Sequence, residues 1–471
     1  MNLLQLSVSL GVLAFTLTMA KQKAQPVNFV IIYLDDMGYG DLTLTGATGY
    51  RTPNIDLMAK EGVLFTRYYA PQAVCSASRA GLLTGCYPNR IGFSGALYHE
   101  SQTGLNPEEE TIAEVLKKRG YATAAFGKWH LGHQPEFLPK RHGFDEFFGI
   151  PYSHDMWPNH PTNKNYYPPL PLIEGEKTVA TNPDQSQFTT QFTERSIDFI
   201  RRNHEKPFFL YLAHPMPHVP LAVSAKFKGK SEQGLYGDVM MEIDWSVGQL
   251  LNTLNELKLE KQTLVIFSSD NGPWINYGNH AGSTGGLREG KGTTYEGGQR
   301  VPCVMQWKGT IQKGTICNKL VSGIDILPTI ATIAGAPFPE KKIDGVNLLP
   351  LLKGDESANP RKSFYYYYRK NSLESVSNGN WKLVFPHPGR TYLGYLPGNN
   401  GQPGTTNDNF KCEAALYDLR RDPGERYDVS ALYPEVVAEM DKIAREARED
   451  LGDDLTGAIG ANRREAGMIK K

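Results

Sequence analysis

Apolar runs that end abruptly in polar residues are the feature that most constrains the fold of this chain. They occupy residues 27–34, 121–126, 208–213 and 264–267, and Asp, Lys or His side chains follow each of them closely. Because polar and apolar residues do not alternate regularly within them, the runs predict strands that are buried on both faces, as in a parallel sheet.

Helical patterns lie between these runs. In residues 52–62, Thr52 is the predicted N-cap, Pro53 takes the first helical position and Gly62 ends the helix. Residues 109–120 and 238–257 have helical patterns as well. This succession predicts an α/β fold, in which ligands bind beyond the carboxyl ends of the strands.

A second, smaller domain is predicted after the first. From residue 361 the chain contains the strand-like runs SFYYYYRK, NWKLVF and AALYDL, and an amphipathic helix at residues 434–451. We therefore expect a large domain over residues 21–360 and an α+β subdomain over residues 361–471. The charged stretch after Asp453 predicts a mobile tail.

The first twenty residues are apolar, end in small side chains and precede Lys21. They are typical of a signal peptide over residues 1–20, whereas a membrane anchor would need a longer span. The sequence contains no Asn-x-Ser/Thr acceptor site for glycosylation. These features predict an exported protein, periplasmic or secreted, and favour a bacterial source over a lysosomal one.

Charge and cysteine content exclude several classes of protein. Fifty basic residues balance fifty acidic ones, so no overall field attracts nucleic acid or an anionic membrane. No later run is apolar enough to predict a stable membrane span. The five cysteines form no CxxC pair, which argues against a disulfide scaffold and against zinc. Cys303 and Cys317 can form a bridge only if their strands are adjacent.

Oxygen-bearing side chains follow two of the predicted strands. Asp35 and Asp36 come directly after the first run, and Asp270 and Asn271 follow the last. Three carboxylates and one amide at neighbouring strand ends suit a hard cation such as Ca²⁺ or Mg²⁺ rather than zinc. Taken alone, Asp35-Asp36 is more often a pair of solvated turn carboxylates, and Asp270-Asn271-Gly272 is a turn signal.

Cys75 lies in the segment AVCSASRAGLLTG, where small residues lead into a predicted helix that ends near Gly85. A helix N-terminus favours an anion, and Arg79 lies four residues on, on the same helix face. A thiolate is a poor ligand for a hard cation. From these residues alone, Cys75 can be a buried structural thiol, a nucleophile, half of a disulfide or a precursor of another group.

Basic and imidazole side chains follow the other strands. Lys128 and His130 lie two residues apart after the second run, and His214 and His218 frame HPMPH after the third. Lys291 lies in a Gly-rich loop that lacks the spacing of a P-loop. Two lysines and an arginine near a cation site predict a bound anionic group, with a histidine as the acid–base candidate.

Several ordered motifs resemble those of one enzyme family. CSASR followed by LTG fits the signature Cys-x-Pro/Ala-x-Arg of the type I sulfatases, and DDMGYGD, GKWHLG, PYSHD, SSDNG and LYDLRRDPGE accompany it. From Asn28 to Val429 the chain resembles these enzymes of the alkaline-phosphatase-like superfamily, with arylsulfatase A and N-acetylgalactosamine-6-sulfatase as the nearest branches. The resemblance implies a mostly parallel mixed sheet between helices in the large domain and an antiparallel sheet in the C-terminal subdomain.

The resemblance also implies a reaction and its cofactors. A formylglycine-generating maturation enzyme would convert Cys75 to 3-oxoalanine, whose hydrated diol binds Ca²⁺ together with Asp35, Asp36, Asp270 and Asn271, Mg²⁺ being the weaker choice. One diol hydroxyl would attack the sulfur of a sulfate ester while Asp270 accepts its proton. The products would be inorganic sulfate and an alcohol.

The same resemblance implies roles for the residues that follow the other strands. His218 would protonate the leaving alcohol, and His130 would act as base when sulfate is expelled. Lys128 and Lys291 would hold the sulfate oxygens as charge builds.

The resemblance further implies that Arg79 steadies the diol and that Ser153 contacts the sulfate, while His214 is a further substrate-binding candidate. Two residues depart from the family pattern. Ala77 stands where proline is commoner, and Cys86 stands where arginine usually follows Leu-Thr-Gly.

The implied substrate is an aryl sulfate or a sulfated carbohydrate, such as a galactose or N-acetylgalactosamine unit. His154, Asp155, Trp157 and His160 follow Ser153 and predict either a sugar subsite or an ordinary surface loop. Two alternatives stay open. A phosphate or phosphonate ester hydrolase with two zinc ions would carry more His and Asp ligands, and a non-catalytic carbohydrate-binding relative would have lost part of the site.

Overall fold

The computed structural model describes residues 25–469, so the predicted signal peptide lies outside the described residues. The large domain contains a sheet of 11 strands within this range. The strands of this part of the chain are, in order, β1 (Asn28–Leu34), β2 (Val63–Tyr69), β3 (Thr103–Gly104), β4 (Ala122–Lys128), β5 (Glu146–Ile150), β6 (Pro171–Glu174), β7 (Lys177–Thr181), β8 (Phe208–Ala213), β9 (Thr263–Ser269), β10 (Arg300–Gln306), β11 (Thr315–Cys317) and β12 (Val321–Ser322). All of them except β3 belong to the sheet.

The sheet is mixed, with a parallel centre. Its order is β11-β2-β10-β9-β1-β8-β4-β5-β6-β7, and β12 also pairs with β2. β1 runs parallel to β8 and β9, and β4 runs parallel to β8 and β5. β10 is antiparallel to both of its neighbours. The four apolar runs thus form β1, β4, β8 and β9, whose carboxyl ends meet at one edge, as predicted.

Helices cover both faces of this sheet. They are α1 (Pro53–Lys60), α2 (Cys75–Thr84), α3 (Ile112–Lys117), α4 (Phe188–Asn203), α5 (Gly234–Glu256), α6 (Glu296–Gln299), α7 (Ile326–Ala334) and α8 (Leu349–Leu352). Alternate residues of β1 belong to two separate cores. Phe29 and Ile31 pack in the core that contains α2, α3 and α7, whereas Val30 and Ile32 pack in the core that contains α1, α4 and α5. All seven residues of β1 are buried, which explains its continuous apolar character.

The N-terminus of α1 corrects one expectation. Thr52 makes no capping hydrogen bond, and its hydroxyl lies 3.2 Å from Asp56 Oδ1. Instead, Asp244 of α5 accepts hydrogen bonds from the backbone N–H groups of Asn54 at 3.0 Å and Ile55 at 2.9 Å. The carboxylate that caps α1 therefore comes from a distant helix. It satisfies N–H groups of the first turn of α1, which have no partner within the helix.

The C-terminal part has an antiparallel sheet of four strands within the described range, in the order β13-β14-β15-β18. Its elements, with those that follow it, are β13 (Phe364–Tyr368), β14 (Ser372–Ser377), β15 (Trp381–Val384), β16 (His387–Thr391), β17 (Asn407–Cys412), β18 (Ala415–Asp418), α9 (Pro434–Leu451) and β19 (Gly467–Met468). The three predicted strands and the predicted helix are present. β14 and the β16–β17 hairpin were not predicted, because polar and glycine residues interrupt their sequences.

The charged tail differs from the expectation of mobility. β19 pairs with β3 of the large domain, and Arg464 donates to both carboxylate oxygens of Glu109, at 2.6 and 2.8 Å. Arg464 Nη2 also lies 3.4 Å from Cys86 Sγ. The guanidinium of Arg464 in the tail therefore lies beside Cys86, the position at which the family pattern usually has an arginine.

All five cysteines are free thiols. Cys303 on β10 and Cys317 on β11 both lie opposite Phe65, on the two sides of β2. Strands two positions apart in a sheet are separated by about 10 Å, which is too far for a disulfide. The possible bridge between these residues is therefore excluded. None of the helices described between residues 25 and 469 is both long and apolar enough to cross a membrane.

Candidate active site

The carboxyl ends of β1 and β9 bring four oxygen-bearing side chains together. Asp35 and Asp36 follow β1, and Asp270 and Asn271 follow the adjacent β9. The backbone N–H of Asp36 donates to Asp270 Oδ1 at 3.2 Å, and Asn271 Nδ2 donates to Asp36 Oδ1 at 2.7 Å. All four side chains are almost fully buried. The predicted cluster is therefore assembled as the parallel sheet requires.

Two oxygens of this cluster test whether it suits a cation. Asp35 Oδ1 and Asn271 Oδ1 are buried and, within residues 25–469, accept no hydrogen bond. Buried acceptors of this kind are normally satisfied. Burial and the nearby charge of Asp35 raise the pKa of Asp270 to about 7. Crowded carboxylates with unsatisfied oxygens are the donor set that a hard divalent cation needs.

Cys75 is the first residue of α2, all ten residues of which are buried. The Cys75 side chain is 3% exposed. Burial raises the pKa of its thiol, although Lys128 and Lys291 act in the opposite direction. A thiol that stays protonated is a weak nucleophile. The unmodified cysteine is therefore poorly suited to attack an ester, despite its place at a helix N-terminus.

Arg79 lies one helical turn after Cys75 and crosses to the strand ends. Its Nε and Nη2 contact Asp270 Oδ2 at 2.9 and 2.7 Å, and its Nη1 donates to the carbonyl of Lys128 at 3.3 Å. Nη2 lies 3.7 Å from Asp35 Oδ1. Fully buried charges of this kind are stable only when paired. The arginine thus joins α2 to the edge of the sheet.

Two lysines contact the first pair of aspartates. Lys128, at the end of β4, forms an ion pair with Asp35 and lies 3.2 Å from Ser153 Oγ. Lys291 Nζ lies 2.7 Å from Asp36 Oδ1 and 4.7 Å from the centre of the Trp274 ring. Burial acts to lower the pKa of Lys291, but Asp36 outweighs it and keeps the lysine charged. Each of the two aspartates that follow β1 is therefore paired with its own buried lysine.

The structure places His218 beside the cluster. Its Nδ1 lies 2.5 Å from the carbonyl of Val219, and its Nε2 lies 3.6 Å from Asp36 Oδ2. Ligand atoms of Asp35, Asp36 and His218 all lie within 4.8 Å of one another. Because Nδ1 donates to a carbonyl, Nε2 is the nitrogen that faces the site and can exchange a proton there.

His130 has one nitrogen occupied and one available. Its Nε2 lies 2.8 Å from the carbonyl of Leu97, and its buried Nδ1 has no partner within the described residues. Burial, reinforced by Lys128, lowers the pKa of His130 well below its usual range. The ring is therefore neutral, with Nε2 as donor and Nδ1 as the free acceptor.

His214 is the predicted site residue that the structure does not bring to the cluster. Its side chain is fully buried, and its Nε2 lies 3.0 Å from Ser246 Oγ of α5. Burial lowers its pKa to about 3. The structure places His214 away from the cluster, because its ring turns toward Ser246 in the helix layer.

The comparison with known protein families decides the identity. Residues 27–336 match the sequence model of the family described as Sulfatase, and residues 359–462 match the C-terminal region of aryl-sulfatase. The chain belongs to the sulfatase family.

Similar proteins cover nearly the whole of this sulfatase. It is 38% identical to human arylsulfatase A over 457 residues, covering 89% of the chain and 87% of the relative. It is 36% identical to mouse N-acetylgalactosamine-6-sulfatase over 457 residues, covering 91% and 87%. The crystal structure of a sulfatase from Pseudoalteromonas sp. superposes with a TM-score of 0.78 at 27% identity, covering 90% of each chain. The protein is a sulfuric ester hydrolase of this fold, as predicted.

The structure adds two residues to the sulfatase site that the sequence analysis missed. Trp274 lies 5.7 Å from the His218 ring, between ring centres, and Tyr277 lies 4.9 Å from Trp274. Both follow Asn271 within six residues. This closeness in sequence to a predicted ligand is the feature that could have indicated them. Their rings form the wall beside His218 and Lys291.

Proposed function

We propose that this sulfatase removes sulfate from sulfated carbohydrates with a formylglycine derived from Cys75 and a Ca²⁺ ion. The observation that carries the proposal is the position of Cys75 at the start of α2, where Lys128, Lys291, Asp35 and Asp270 all act on its thiol. A thiolate is a poor ligand for a hard cation. A diol oxygen at residue 75 would be a good ligand for the cation and also the nucleophile of the reaction.

Asp35, Asp36, Asp270 and Asn271 would hold the ion, with residue 75 after its oxidation. The two unpartnered oxygens of Asp35 and Asn271 support this assignment. Ca²⁺ is favoured over Mg²⁺ because it accepts six to eight oxygen ligands in flexible geometry. When bound, the ion supplies positive charge that polarises the sulfate and favours an oxygen nucleophile at residue 75.

The lysines and Ser153 would bind the sulfate group. The ion pairs of Lys128 with Asp35 and of Lys291 with Asp36 hold two ammonium groups close enough to residue 75 to act on its thiol. Ser153 Oγ is 3.2 Å from Lys128 Nζ and adds a hydroxyl. These groups would stabilise the charge that grows on the sulfate oxygens in the transition state.

Two histidines would move protons on different sides of the reaction. In its protonated form, with Nδ1–H held by the carbonyl of Val219, His218 would donate the second proton from Nε2 to the leaving alcohol. His130 would accept a proton at Nδ1, since its neutral ring leaves that nitrogen free. Asp270 is the proposed proton acceptor for the nucleophile, and Arg79, whose Nε donates to Asp270 Oδ2, orients it.

A sulfated sugar is the favoured substrate because a relative at 36% identity is an N-acetylgalactosamine-6-sulfatase. The loop after Ser153 supports this class. His154 lies 5.5 Å from His218 between ring centres, and Asp155 Oδ1 is buried without a partner in the described chain. A sugar hydroxyl would satisfy that carboxylate. Trp157 and His160 continue the same loop.

We also propose that the segment 1–20 directs export to the periplasm or outside the cell. We propose further that a formylglycine-generating enzyme modifies Cys75. Sequencing of the N-terminus of the protein purified from its natural host tests the first. Mass spectrometry of the peptide that contains residue 75 tests the second, where an aldehyde is expected in place of the thiol. An intact thiol in fully active enzyme contradicts the mechanism.

Activity is tested with free sulfate as the readout. The substrate panel contains galactose and N-acetylgalactosamine with sulfate on O-4 or O-6, disaccharides with the same residue at the non-reducing end, and 4-nitrophenyl sulfate. Phosphate and phosphonate monoesters serve as controls for the related hydrolases. EGTA should remove activity and added Ca²⁺ should restore it; activity that is insensitive to EGTA argues against the calcium proposal. Sulfate release from none of the panel, by enzyme shown to carry formylglycine, refutes the substrate class.

A further inference from the structure

An aromatic groove opens on the surface beside the candidate active site. It has a volume of about 560 Å³ and is lined by Tyr98, His99, Glu100, Ser101, Asn163, Tyr166 and Tyr167. Tyr98 is 58% exposed and Tyr166 is 60% exposed. Two large rings exposed around one concavity differ from the scattered apolar residues of an ordinary surface.

The rings of the groove hold one another in place. The ring centres of Tyr166 and Tyr167 lie 4.9 Å apart at 85°, and His99 contacts both of them edge-on, at 5.8 and 5.2 Å. Edge-to-face contacts of this kind fix ring orientation. The groove is therefore a preformed aromatic surface, and a ligand loses little affinity to the ordering of side chains.

One wall of the groove is continuous with the catalytic helix. The backbone N–H of Leu97, the residue directly before Tyr98, donates a hydrogen bond to Ser76 Oγ at 2.9 Å. Its carbonyl lies 2.8 Å from His130 Nε2. Ser76 follows Cys75 in the chain. The segment that carries Tyr98 and His99 is thus attached to two elements of the site.

The opposite wall reaches the site through the loop after Ser153. The ring of Tyr167 lies 5.1 Å from that of His160, and His160 Nε2 lies 4.0 Å from Asp155 Oδ2. Asp155 is two residues from Ser153, which contacts Lys128. The groove therefore begins where the proposed sugar-contact loop ends.

The chemistry of the lining indicates what the groove accepts. Among the described residues that line it there is no lysine or arginine, and the acidic member is Glu100, whose side chain is 71% exposed. A second sulfate would find no cation here. Aromatic rings with hydroxyl and amide groups between them suit the apolar face and the hydroxyls of an uncharged pyranose ring.

We propose that this groove binds the sugar unit next to the one that carries the scissile sulfate, so that the enzyme acts on oligosaccharides in preference to monosaccharides. The inference rests on the proposed function and extends it from a single sugar to a chain of at least two.

The test compares each sulfated monosaccharide of the panel with its disaccharide, in the wild type and in Tyr98→Ala, Tyr166→Ala and the double variant. The wild type should prefer the disaccharide. In each single variant the ratio of kcat/KM for disaccharide over monosaccharide should fall roughly three- to tenfold, mainly through KM, because one ring contact is lost. Tyr427→Ala, which removes another exposed tyrosine outside the groove, is the matched control.

Three outcomes overturn the inference. An unchanged ratio in the double variant, an equal loss on both substrates, or the same loss in Tyr427→Ala would each exclude a role for the groove in binding the second sugar. Thermal unfolding of every variant checks that the fold is retained. The two proposals can be distinguished. If the wild type releases sulfate from monosaccharides and the groove variants keep the wild-type ratio of kcat/KM, the proposed function stands and this inference alone is refuted.

Discussion

Arg79 and Asp270 form a contact in which two nitrogens of one guanidinium, Nε at 2.9 Å and Nη2 at 2.7 Å, share a single carboxylate oxygen. The other oxygen of Asp270 accepts the backbone N–H of Asp36 at 3.2 Å. Both oxygens of the aspartate are thereby oriented by the protein. The helix that begins at Cys75 and the strand end that precedes Asn271 are held together through this one side chain.

The first prediction concerns this contact. Arg79→Lys should lower kcat/KM by about 100-fold, because one ammonium cannot contact Asp270 and the carbonyl of Lys128 together, and small displacements of reacting groups have effects of this size. Steady-state kinetics on 4-nitrophenyl sulfate measure the loss. Arg201→Lys, on the exposed face of α4, should retain wild-type kinetics. Full activity in Arg79→Lys means that the contact with Asp270 is not needed.

The second prediction concerns Cys75. Cys75→Ala should abolish sulfate release and change the melting temperature by only a few degrees, because a small side chain replaces a small one in a buried helix. Cys317→Ala, on β11, removes a thiol that is remote from the cluster and should stay active. Turnover by Cys75→Ala at the wild-type rate would place the nucleophile elsewhere.

The third prediction separates the acid from the other groups. His218→Ala should slow the hydrolysis of sugar sulfates by about 100- to 10,000-fold, whereas 4-nitrophenyl sulfate should be affected far less, because its leaving group needs no proton. Parallel kinetics on the two substrates give the result, with His204→Ala as an exposed control. Equal losses on both substrates would assign His218 to binding rather than to proton transfer.

The fourth prediction concerns the junction between the two domains. Lys382 on β15 is fully buried and contacts Glu296 at 3.2 Å, Glu425 at 2.9 Å and the carbonyl of Thr294 at 2.7 Å. Lys382→Met should lower the free energy of unfolding by about 3–5 kcal/mol, since two buried carboxylates lose their cation. Urea denaturation measures the change. Lys411→Met, with an exposed ion pair, should change it by less than about 1 kcal/mol.

The fifth prediction concerns pH. Burial acts to lower the pKa of His387, but hydrogen bonds with Cys412 and Glu374 raise it to about 10. The folded-state pKa exceeds that of the unfolded chain, so the stabilisation is complete below about pH 6.5 and is lost as the pH rises through about 10. The difference in unfolding free energy between the wild type and His387→Gln should therefore shrink from pH 6 to pH 10. A constant difference would show that His387 is not protonated in the folded state.

Much of the fold and the site could be predicted because local pattern and topology agree. The apolar runs of β1, β4, β8 and β9 specify a parallel centre, and a parallel centre brings the residues after each strand to one edge. Asp35 and Asp270 are therefore neighbours although they are far apart in the chain. The helix α9 was predicted over Pro434–Leu451 because its apolar face is unbroken.

The rest depends on contacts that no local pattern contains. His214 and His218 look alike in the sequence, but the backbone directs His214 toward Ser246 of α5 and His218 toward Asp36. Composition alone predicts a mobile tail. The tail is ordered because its polar residues find partners in the folded large domain, such as Glu109 for Arg464, and the local sequence does not contain these contacts. Trp274 and Tyr277 contact the site through the path of a loop, which spacing does not predict.

The return of the tail to the large domain has a consequence for the biogenesis of the enzyme. Cys75 is synthesised early, whereas the strand that pairs Gly467 with Gly104 is completed only after the C-terminal sheet has been translated. At about 5–20 residues per second, the intervening chain takes roughly 20–80 s to emerge from the ribosome. Because residue 75 is almost fully buried in the folded protein, an enzyme that oxidises it as proposed would have to reach it before the fold is complete.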